Sequence, residues 1–460
     1  MGQKYFGTDG FRGEANVTLG AEEAYRIGRF LGWYYREAGS ESRRARIVIG
    51  KDTRRSSYML EYAVAAGIVA SGADAYMLHV ITTPGVSYIT RRDEFDCGIM
   101  ITASHNPYLD NGIKVINAYG EKLSDEVECL MEWYIDGDLS RLSITEDDLP
   151  KAVGENIGCI YDYDSGRNRY MGYLISLVSN SYKKLRIGLD CANGATFSIA
   201  GAVFGALGAR CYQIGREPDG ININKDCGST HIERLVSLVR ENHLDVGFAF
   251  DGDGDRCIAV DERGRVVDGD AIIYILAGRL CERGTLEGNT VVATVMSNSG
   301  FVESLRDMGI KCVQTTVGDK FVYECMQKGG YSIGGEQSGH IIMKKYATTG
   351  DGILTALMIC EQICDSKLPL SALCKGLTLY PQHLISVRVS DKNAAISDEG
   401  VRRRVAEVES EINGRGRVLL RKSGTEPVLR VMVECEGEEL CKSYAEGIAE
   451  AIRMGGYSIE

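Results

Sequence analysis

The chain has 460 residues, of which 44% are hydrophobic and 25% are charged, and this balance excludes a disordered, collagen-like or low-complexity protein. Its net charge of −12 argues against nucleic acid and anionic membranes as partners, because affinity for both comes from positive charge. Fifteen scattered cysteines, the lack of an apolar signal segment and the lack of a membrane-spanning apolar run predict reduced thiols, a cytoplasmic location and no membrane partner.

The main organising feature of the sequence is an α/β unit that occurs three times. In each copy an apolar strand leads into a helix, a second strand follows, and a third strand runs directly into a polar motif and a further apolar strand. The first three strands of the copies are predicted at residues 46–52, 75–80 and 97–101, at 186–190, 210–214 and 245–250, and at 290–295, 311–315 and 331–333. Strands that alternate with helices predict a largely parallel sheet, with ligands at the carboxyl ends of the strands.

The end of the chain reads differently and predicts a smaller α+β unit, with strands at 384–389, 417–421 and 428–433 and helices at 399–412 and 438–454. The predicted fold class is therefore α/β: three similar domains with mixed or parallel sheets, plus a smaller C-terminal α+β domain, around a central cleft. The predicted domains are residues 1–153, 154–258, 259–370 and 371–460.

The first polar motif, Thr-Ala-Ser-His-Asn-Pro at residues 102–107, places a hydroxyl beside an imidazole. Neighbouring Ser104 and His105 do not by themselves make a catalytic dyad, and a polar turn closed by a proline is the alternative. The motif stands at the same point of its repeat as an acidic motif of the second copy. This favours Ser104 as a residue that faces a cation and takes part in phosphoryl transfer, with Lys114 adding positive charge.

The second motif places Asp251, Asp253 and Asp255 at alternate positions after a strand, with glycines between them. This pattern lets three carboxylates converge on one hard cation and predicts a Mg²⁺ site. A calcium EF-hand is the alternative, but its sixth position needs glycine and here holds Arg256, and the flanks read as strands. A merely solvated acidic turn is disfavoured, because three like charges repel one another.

Two further motifs suggest how a phosphorylated sugar is held. Glu336, Ser338 and His340 combine a carboxylate, a hydroxyl and an imidazole on a tight turn, which suits the hydroxyls of a sugar, and their spacing does not fit a hydrolase elbow. The segment 421–427 with Arg430 combines cationic side chains, hydroxyls and a glycine turn, which is typical of a phosphate cradle. An exposed basic hairpin is the alternative for that segment.

Together, the TASHNP, DGDGDR, GEQSGH and RKSGTEP motifs, in this order, resemble the α-D-phosphohexomutase superfamily along essentially the whole chain. The FGTDGFRG start, the glutamine inside GEQSGH, the TTGDG run after it and Met-Ser-Asn at 296–298 are similar to the branch that acts on glucosamine phosphates. The resemblance implies a mutase that interconverts glucosamine 6-phosphate and glucosamine 1-phosphate and feeds amino-sugar nucleotide and cell-wall precursor synthesis.

The same resemblance implies the role of each matching residue. Ser104 carries the phosphoryl group and binds one Mg²⁺ per chain together with Asp251, Asp253 and Asp255. Glu336 and Ser338 meet the sugar. The residues implied to hold the non-reacting phosphate are Arg421, Ser423, Gly424 and Thr425, and those implied to lie near the transferring group are Arg12, His105, Lys114 and Arg256.

The resemblance further implies a bisphosphorylated sugar intermediate, activation by a sugar 1,6-bisphosphate, and a homodimer that forms through the first domain. Two alternatives stay open at this point. One is the same chemistry on glucose or mannose phosphates, and the other is a phosphosugar-binding sensor without turnover.

Overall fold

The computed structural model describes residues 4–7, 10–38, 43–142, 145, 149, 151–422 and 427–459. The chain forms two compact units, Met1–Met296 with Val313–Lys375 and Ser297–Cys312 with Gly376–Glu460. The first unit contains most of the repeated α/β units, and the second contains residues 297–312 of the third repeat and the C-terminal sheet. None of the helices in the described part of the chain is long and apolar enough to cross a membrane.

The first sheet has seven strands and is built from the N-terminal third of the chain. Its strands and accompanying helices are β1 (Phe6–Gly7), β2 (Gly10–Glu14), α1 (Ala21–Ala38), β3 (Arg46–Lys51), α2 (Arg55–Ala70), β4 (Asp74–Val80), α3 (Thr83–Arg92), β5 (Cys97–Ile101), β6 (Asp110–Asn117), α4 (Asp125–Ile135) and β7 (Ile160–Asp162). The strand order is β1-β2-β6-β5-β3-β4-β7. Every residue of β5 is buried, as a strand with helices on both faces requires.

The second sheet has five strands in the order β12-β11-β10-β8-β9. Its elements are α5 (Asp164–Ser176), β8 (Arg186–Asp190), α6 (Ala200–Ala206), β9 (Arg210–Ile214), α7 (Glu233–Glu241), β10 (Val246–Phe250), β11 (Cys257–Asp261) and β12 (Val266–Val267).

The third sheet has four strands in the order β14-β13-β15-β16. The elements that follow in the chain are α8 (Gly269–Glu282), β13 (Thr290–Thr294), α9 (Ser299–Asp307), β14 (Lys311–Thr315), α10 (Asp319–Gly329), β15 (Ile333–Gly335), β16 (Ile341–Met343), α11 (Gly352–Ser366) and α12 (Leu370–Leu373).

The three sheets share one topology, and this confirms the predicted fold class. In each, the third strand of the repeat lies beside the first, the second strand lies beyond the first, and the strand after the polar motif returns antiparallel to the third. The sheets are therefore mixed, and each polar motif is the connection of an antiparallel hairpin at the carboxyl end of a buried strand.

The sheets divide the chain at different places from the predicted boundaries. β7 pairs in parallel with β4 and so belongs to the first sheet, beyond the predicted end at residue 153. The predicted boundary at residue 258 falls inside β11, which pairs with β10 along its whole length. β11 is the return strand of a hairpin and therefore belongs to the same sheet as β10. The acidic motif between these two strands suggested a domain boundary that the sheet does not have.

The second unit contains a three-stranded antiparallel sheet in the order β17-β19-β18. Its elements are β17 (Gln382–Arg388), α13 (Lys392–Ser397), α14 (Glu399–Ile412), β18 (Gly416–Lys422), β19 (Val428–Cys435) and α15 (Glu438–Met454). The Asp398 side chain caps α14 by accepting a hydrogen bond from the N–H of Val401. Val401, Val408 and Ile412 recur at helical spacing on the buried face and pack against the sheet.

Candidate active site

The polar motifs of the first two repeats meet in the first unit. β5 delivers Ser104 and β10 delivers Asp251, and the Ser104 hydroxyl donates a hydrogen bond to Asp251 Oδ2 at 2.6 Å. Ser104 is only 2% exposed and has φ of 51°, in the left-handed region that costs a residue with a side chain about 1 kcal/mol. A buried, strained serine beside a carboxylate indicates a site built for chemistry.

Asp251, Asp253 and Asp255 fit a divalent cation. One carboxylate oxygen from each lies within 4.8 Å of the others, and all three residues are buried. Asp253 Oδ1 and Asp255 Oδ1 accept no hydrogen bond from the described residues, and buried oxygens of this kind are suited to a metal ion. A side chain on Gly252, between the first two, would come within 2.6 Å of the Ser104 carbonyl oxygen, so glycine permits this approach.

The charge balance of the cluster also favours a cation. Burial, and then the charges of Asp255 and Asp253, raise the pKa of Asp251 well above its usual value. Lys114 Nζ lies 2.7 Å from Asp253 Oδ2 and 3.3 Å from Asp255 Oδ2, and Arg256 also acts on the cluster. A divalent ion at this point would offset the remaining repulsion.

His105 lies beside the hydroxyl of Ser104, with its Nδ1 3.4 Å from Ser104 Oγ. Burial, and then the positive charges of Arg256 and Arg12, lower the pKa of His105 to about 4, so the ring is neutral at neutral pH. The structure thus brings His105, Arg256 and Arg12 close together, as the family resemblance implied for residues near the transferring group.

The third polar motif approaches the acidic cluster through His340. His340 Nδ1 is 3.6 Å from Asp255 Oδ1, and His340 Nε2 accepts a hydrogen bond from the N–H of Gly350 at 2.9 Å. Glu336 Oε1 accepts from the N–H of Gly318 at 3.1 Å, whereas Ser338 is exposed. In the structure His340 therefore supports the acidic cluster, and its predicted contact with a sugar stays a prediction.

A cavity of about 440 Å³ opens beside Lys114 and Asp255, between β6 and α10. Asp319, Lys320 and Tyr323 of α10 form part of its wall. Its volume lies within the range of small-molecule pockets.

Three residues that contact the motifs were not predicted from the sequence. Thr83 Oγ1 donates to Asp253 Oδ2 at 2.5 Å, while Arg54 and Asn224 bind the backbone of the Ser104 loop. Arg54 comes shortly after β3 and Thr83 shortly after β4. Their position at the carboxyl ends of these strands could have identified both as candidate site residues. Asn224 lies in a turn that nothing in the sequence connects to Ser104.

The second unit holds the predicted phosphate cradle. Arg421 of β18 and Arg430 of β19 are direct cross-strand partners, and side chains of such a pair project from the same face of the sheet. Two guanidinium groups on one face of a sheet suit a phosphate. Ser423, Gly424 and Thr425 lie outside the described residues.

The sequence matches all four domains of one family, described as phosphoglucomutase/phosphomannomutase. The α/β/α domains I, II and III match residues 3–138, 168–264 and 268–380, and the C-terminal domain matches residues 384–451. The chain belongs to the phosphoglucomutase/phosphomannomutase family. This confirms the superfamily and the fold class that the sequence motifs predicted.

Curated relatives narrow this class further. The phosphoglucosamine mutase of Lachnospira eligens is 56% identical over 99% of this chain and 100% of its own length. That of Bacillus subtilis is 47% identical over 98% of both chains. The chain is accordingly a mutase, an isomerase of the phosphoglucosamine mutase group, as the sequence predicted.

Solved structures share the fold at low identity. A phosphoglucomutase/phosphomannomutase family protein of Burkholderia thailandensis has a TM-score of 0.80 at 22% identity and covers all of both chains. The N-acetylphosphoglucosamine mutase of Aspergillus fumigatus, solved with GlcNAc-6P and magnesium, has a TM-score of 0.68 at 17% identity and covers 98% of this chain and 96% of its own.

Proposed function

We propose that this chain interconverts glucosamine 6-phosphate and glucosamine 1-phosphate through a phosphorylated Ser104 and a bisphosphorylated sugar. The observation that carries the proposal is the 2.6 Å hydrogen bond from the Ser104 hydroxyl to Asp251, at the edge of a buried cluster of three carboxylates. A serine held at a cation site is arranged for phosphoryl transfer, in which positioning and charge neutralisation do most of the work.

The proposed reaction has two balanced transfers. Phosphorylated Ser104 gives its phosphoryl group to the free hydroxyl of glucosamine 6-phosphate, so that the serine O–P bond breaks, a sugar O–P bond forms and the hydroxyl proton ends on Ser104 Oγ. The bisphosphorylated sugar then turns over, and its other phosphoryl group returns to Ser104. The neutral His105 ring, 3.4 Å from Ser104 Oγ, is able to pass the proton in both steps.

Asp251, Asp253 and Asp255 would hold one Mg²⁺ with the phosphorylated Ser104, and the bound ion would neutralise charge on the phosphoryl oxygens. Lys114 contacts two of the carboxylates and helps to hold them in place. Arg421 and Arg430 would bind the phosphate that does not react, with Ser423, Gly424 and Thr425 completing the cradle, while Glu336, Ser338 and His340 would meet the sugar. A sugar 1,6-bisphosphate would supply the first phosphoryl group. The predicted homodimer and cytoplasmic location stay predictions.

The decisive experiment compares Ser104→Ala with Ser140→Ala, a change at an exposed serine of the same unit. Turnover of glucosamine 6-phosphate is expected to fall at least about 1000-fold in Ser104→Ala, because the covalent carrier is lost, and to be unchanged in Ser140→Ala. Intact-mass measurement after incubation with glucose 1,6-bisphosphate should show one added phosphate in the parent and none in Ser104→Ala. Full activity of Ser104→Ala would reject the phosphoserine role.

The sugar is tested separately, by comparing kcat/KM for glucosamine, glucose and mannose 6-phosphates. The highest value is expected for glucosamine 6-phosphate, in line with the phosphoglucosamine mutases that the chain resembles. A higher value for glucose or mannose 6-phosphate would assign the chain to the other branch of the same chemistry. Binding of all three without turnover would indicate a sensor.

A further inference from the structure

The backbone of Ser104 is held on both sides by hydrogen bonds to side chains. On one side, the N–H of Ser104 donates to Thr102 Oγ1 at 2.9 Å, and the Thr102 hydroxyl in turn donates to the buried Asp52 at 2.8 Å. On the other side, the Ser104 carbonyl oxygen accepts two hydrogen bonds, from Arg54 Nη2 at 2.9 Å and from Asn224 Nδ2 at 2.8 Å. Both lone pairs of that oxygen are thereby used.

Because peptide groups are planar, fixing the two that flank a residue fixes its φ and ψ. These contacts therefore set the left-handed conformation of Ser104 and leave only the rotation about its Cα–Cβ bond to direct the hydroxyl. A left-handed conformation is unfavourable for serine by itself, so it needs surrounding structure to hold it.

Arg54 and Asn224 act on the same two carbonyl groups from different repeats. Asn106 O, like Ser104 O, accepts from Arg54 Nη2 at 2.9 Å and from Asn224 Nδ2 at 3.0 Å. Arg54 is fully buried and its Nε donates to Asp52 Oδ2 at 2.8 Å, so its charge is paired and its plane is fixed. Arg54 comes from the first repeat, whereas Asn224 comes from the second, which also carries the acidic cluster.

We propose that Arg54 and Asn224 are positioning residues for the phosphoryl-transfer step: they clamp the Ser104 loop so that the hydroxyl is directed at the acidic cluster. Asn224 links that loop to the repeat that provides Asp251, Asp253 and Asp255. Gly252 lies against the same carbonyl oxygen of Ser104, so the clamp and the acidic cluster share a contact point. The inference rests on the proposed role of Ser104 as the phosphoryl carrier.

Asn224→Gly is the sharpest variant, because Asn224 itself has φ of 58°, a conformation that glycine adopts freely. The change removes the donor without straining the backbone. Asp226→Gly is its matched control, since Asp226 lies in the same turn, has φ of 53° and is exposed. Arg54→Lys keeps the buried charge beside Asp52 but loses the planar fork of donors.

With glucosamine 6-phosphate as substrate, Asn224→Gly and Arg54→Lys are expected to lower kcat about 10- to 100-fold, with KM changed less than about threefold, because small displacements of a reacting atom slow chemistry far more than binding. The single-turnover rate of phosphoryl transfer from glucose 1,6-bisphosphate to Ser104 should fall by a similar factor. Asp226→Gly should match the parent in both measurements.

Equal kcat values in Asn224→Gly and Asp226→Gly would overturn the inference, and so would a loss that appears only in KM. If Asn224→Gly unfolds early, Asn224→Asp takes its place: it keeps the shape and turns a donor into a carboxylate facing two carbonyl oxygens, so the same loss of kcat is expected. If Ser104→Ala is inactive and Asn224→Gly is fully active, only the positioning role of Arg54 and Asn224 is rejected. If Ser104→Ala is active, the proposed function itself is rejected.

Discussion

The first two polar loops contain buried side chains that are bonded to one another, whereas most side chains of the third loop are more exposed. Ser104 and Asp251 are buried and joined by a 2.6 Å hydrogen bond, and Lys114 lies 2.7 Å from Asp253. In the third loop Ser338 is exposed, and Glu336 is only partly buried. The three loops occupy the same position in three related sheets, so this difference arises from side chains and packing rather than from topology.

The difference matches two separate demands of the proposed reaction. The atoms between which the phosphoryl group moves must be fixed within a fraction of an ångström, because misplacement slows the transfer step. The loop that meets the sugar must instead accept a substrate in two orientations, and exposed side chains leave room for this. We therefore expect changes in the first two loops to lower kcat and changes in the third to raise KM.

The largest expected effect that tests this contrast is that of Asp253→Asn. Turnover should fall at least about 1000-fold, because one of the three carboxylates proposed to hold the metal is lost. Adding magnesium should raise the unfolding temperature of the parent, since an ion that binds only the folded state stabilises it, and should raise that of the variant much less. Thermal unfolding with and without magnesium, beside turnover, makes the measurement.

Asp226→Asn serves as the control for this change, because Asp226 is an exposed aspartate of the same repeat. It should retain both turnover and the response to magnesium. An equal response to magnesium in Asp253→Asn and the parent would show that the metal is held elsewhere.

A smaller effect is expected from Ser338→Ala. KM for glucosamine 6-phosphate should rise about three- to tenfold, because a hydrogen bond to the sugar is lost, while kcat stays close to that of the parent. The free energy of unfolding should change by less than about 0.5 kcal/mol, since the side chain is exposed. A large fall in kcat at unchanged KM would contradict the division between the loops.

No effect on turnover is expected from Asp351→Asn, which tests whether every buried carboxylate near the site belongs to it. Asp351 is fully buried but satisfied: it accepts from the hydroxyl of Tyr170 at 2.8 Å and caps α11 through the N–H of Leu354 at 2.9 Å. Burial raises its pKa from 3.8 to about 6. Asparagine preserves the cap, because it is as good a cap residue as aspartate.

The sign of the pH dependence follows from the raised pKa. The folded state binds the Asp351 proton more tightly than the unfolded state, so the contribution of this group to stability is fully present below pH 3.8 and is lost as pH rises through about 6. Over that range Asp351→Asn should gain up to about 3 kcal/mol of unfolding free energy relative to the parent. The measurement is the free energy of denaturant unfolding of both proteins across this pH range. A difference between the two proteins that does not change with pH would contradict the prediction.

The sequence alone predicted the fold class, the repeat and most of the residues that the structure brings together around Ser104 and the three aspartates. Three copies of one strand order could be read from apolar segments that each end in a polar motif, because burial imposes a periodicity on neighbouring residues. Asp251, Asp253 and Asp255 were predictable for a similar reason: they stand at alternate positions of one short segment, so their convergence is a local property of the chain. Ser104 followed from its place in the repeat.

Only the tertiary structure assigned β7 and β11 to their sheets and joined Arg54 and Asn224 to the Ser104 loop. Strand pairing and the hydrogen bond between residues 104 and 224 depend on how segments that are far apart in the sequence pack together. Local sequence patterns carry no information about such packing. An asparagine in a polar turn reads as a turn residue, and a buried arginine reads as a surface charge. The contacts of Asn224 form only when the first two repeats pack together, whereas Arg54 binds carbonyl groups of its own repeat that lie far from it in the sequence.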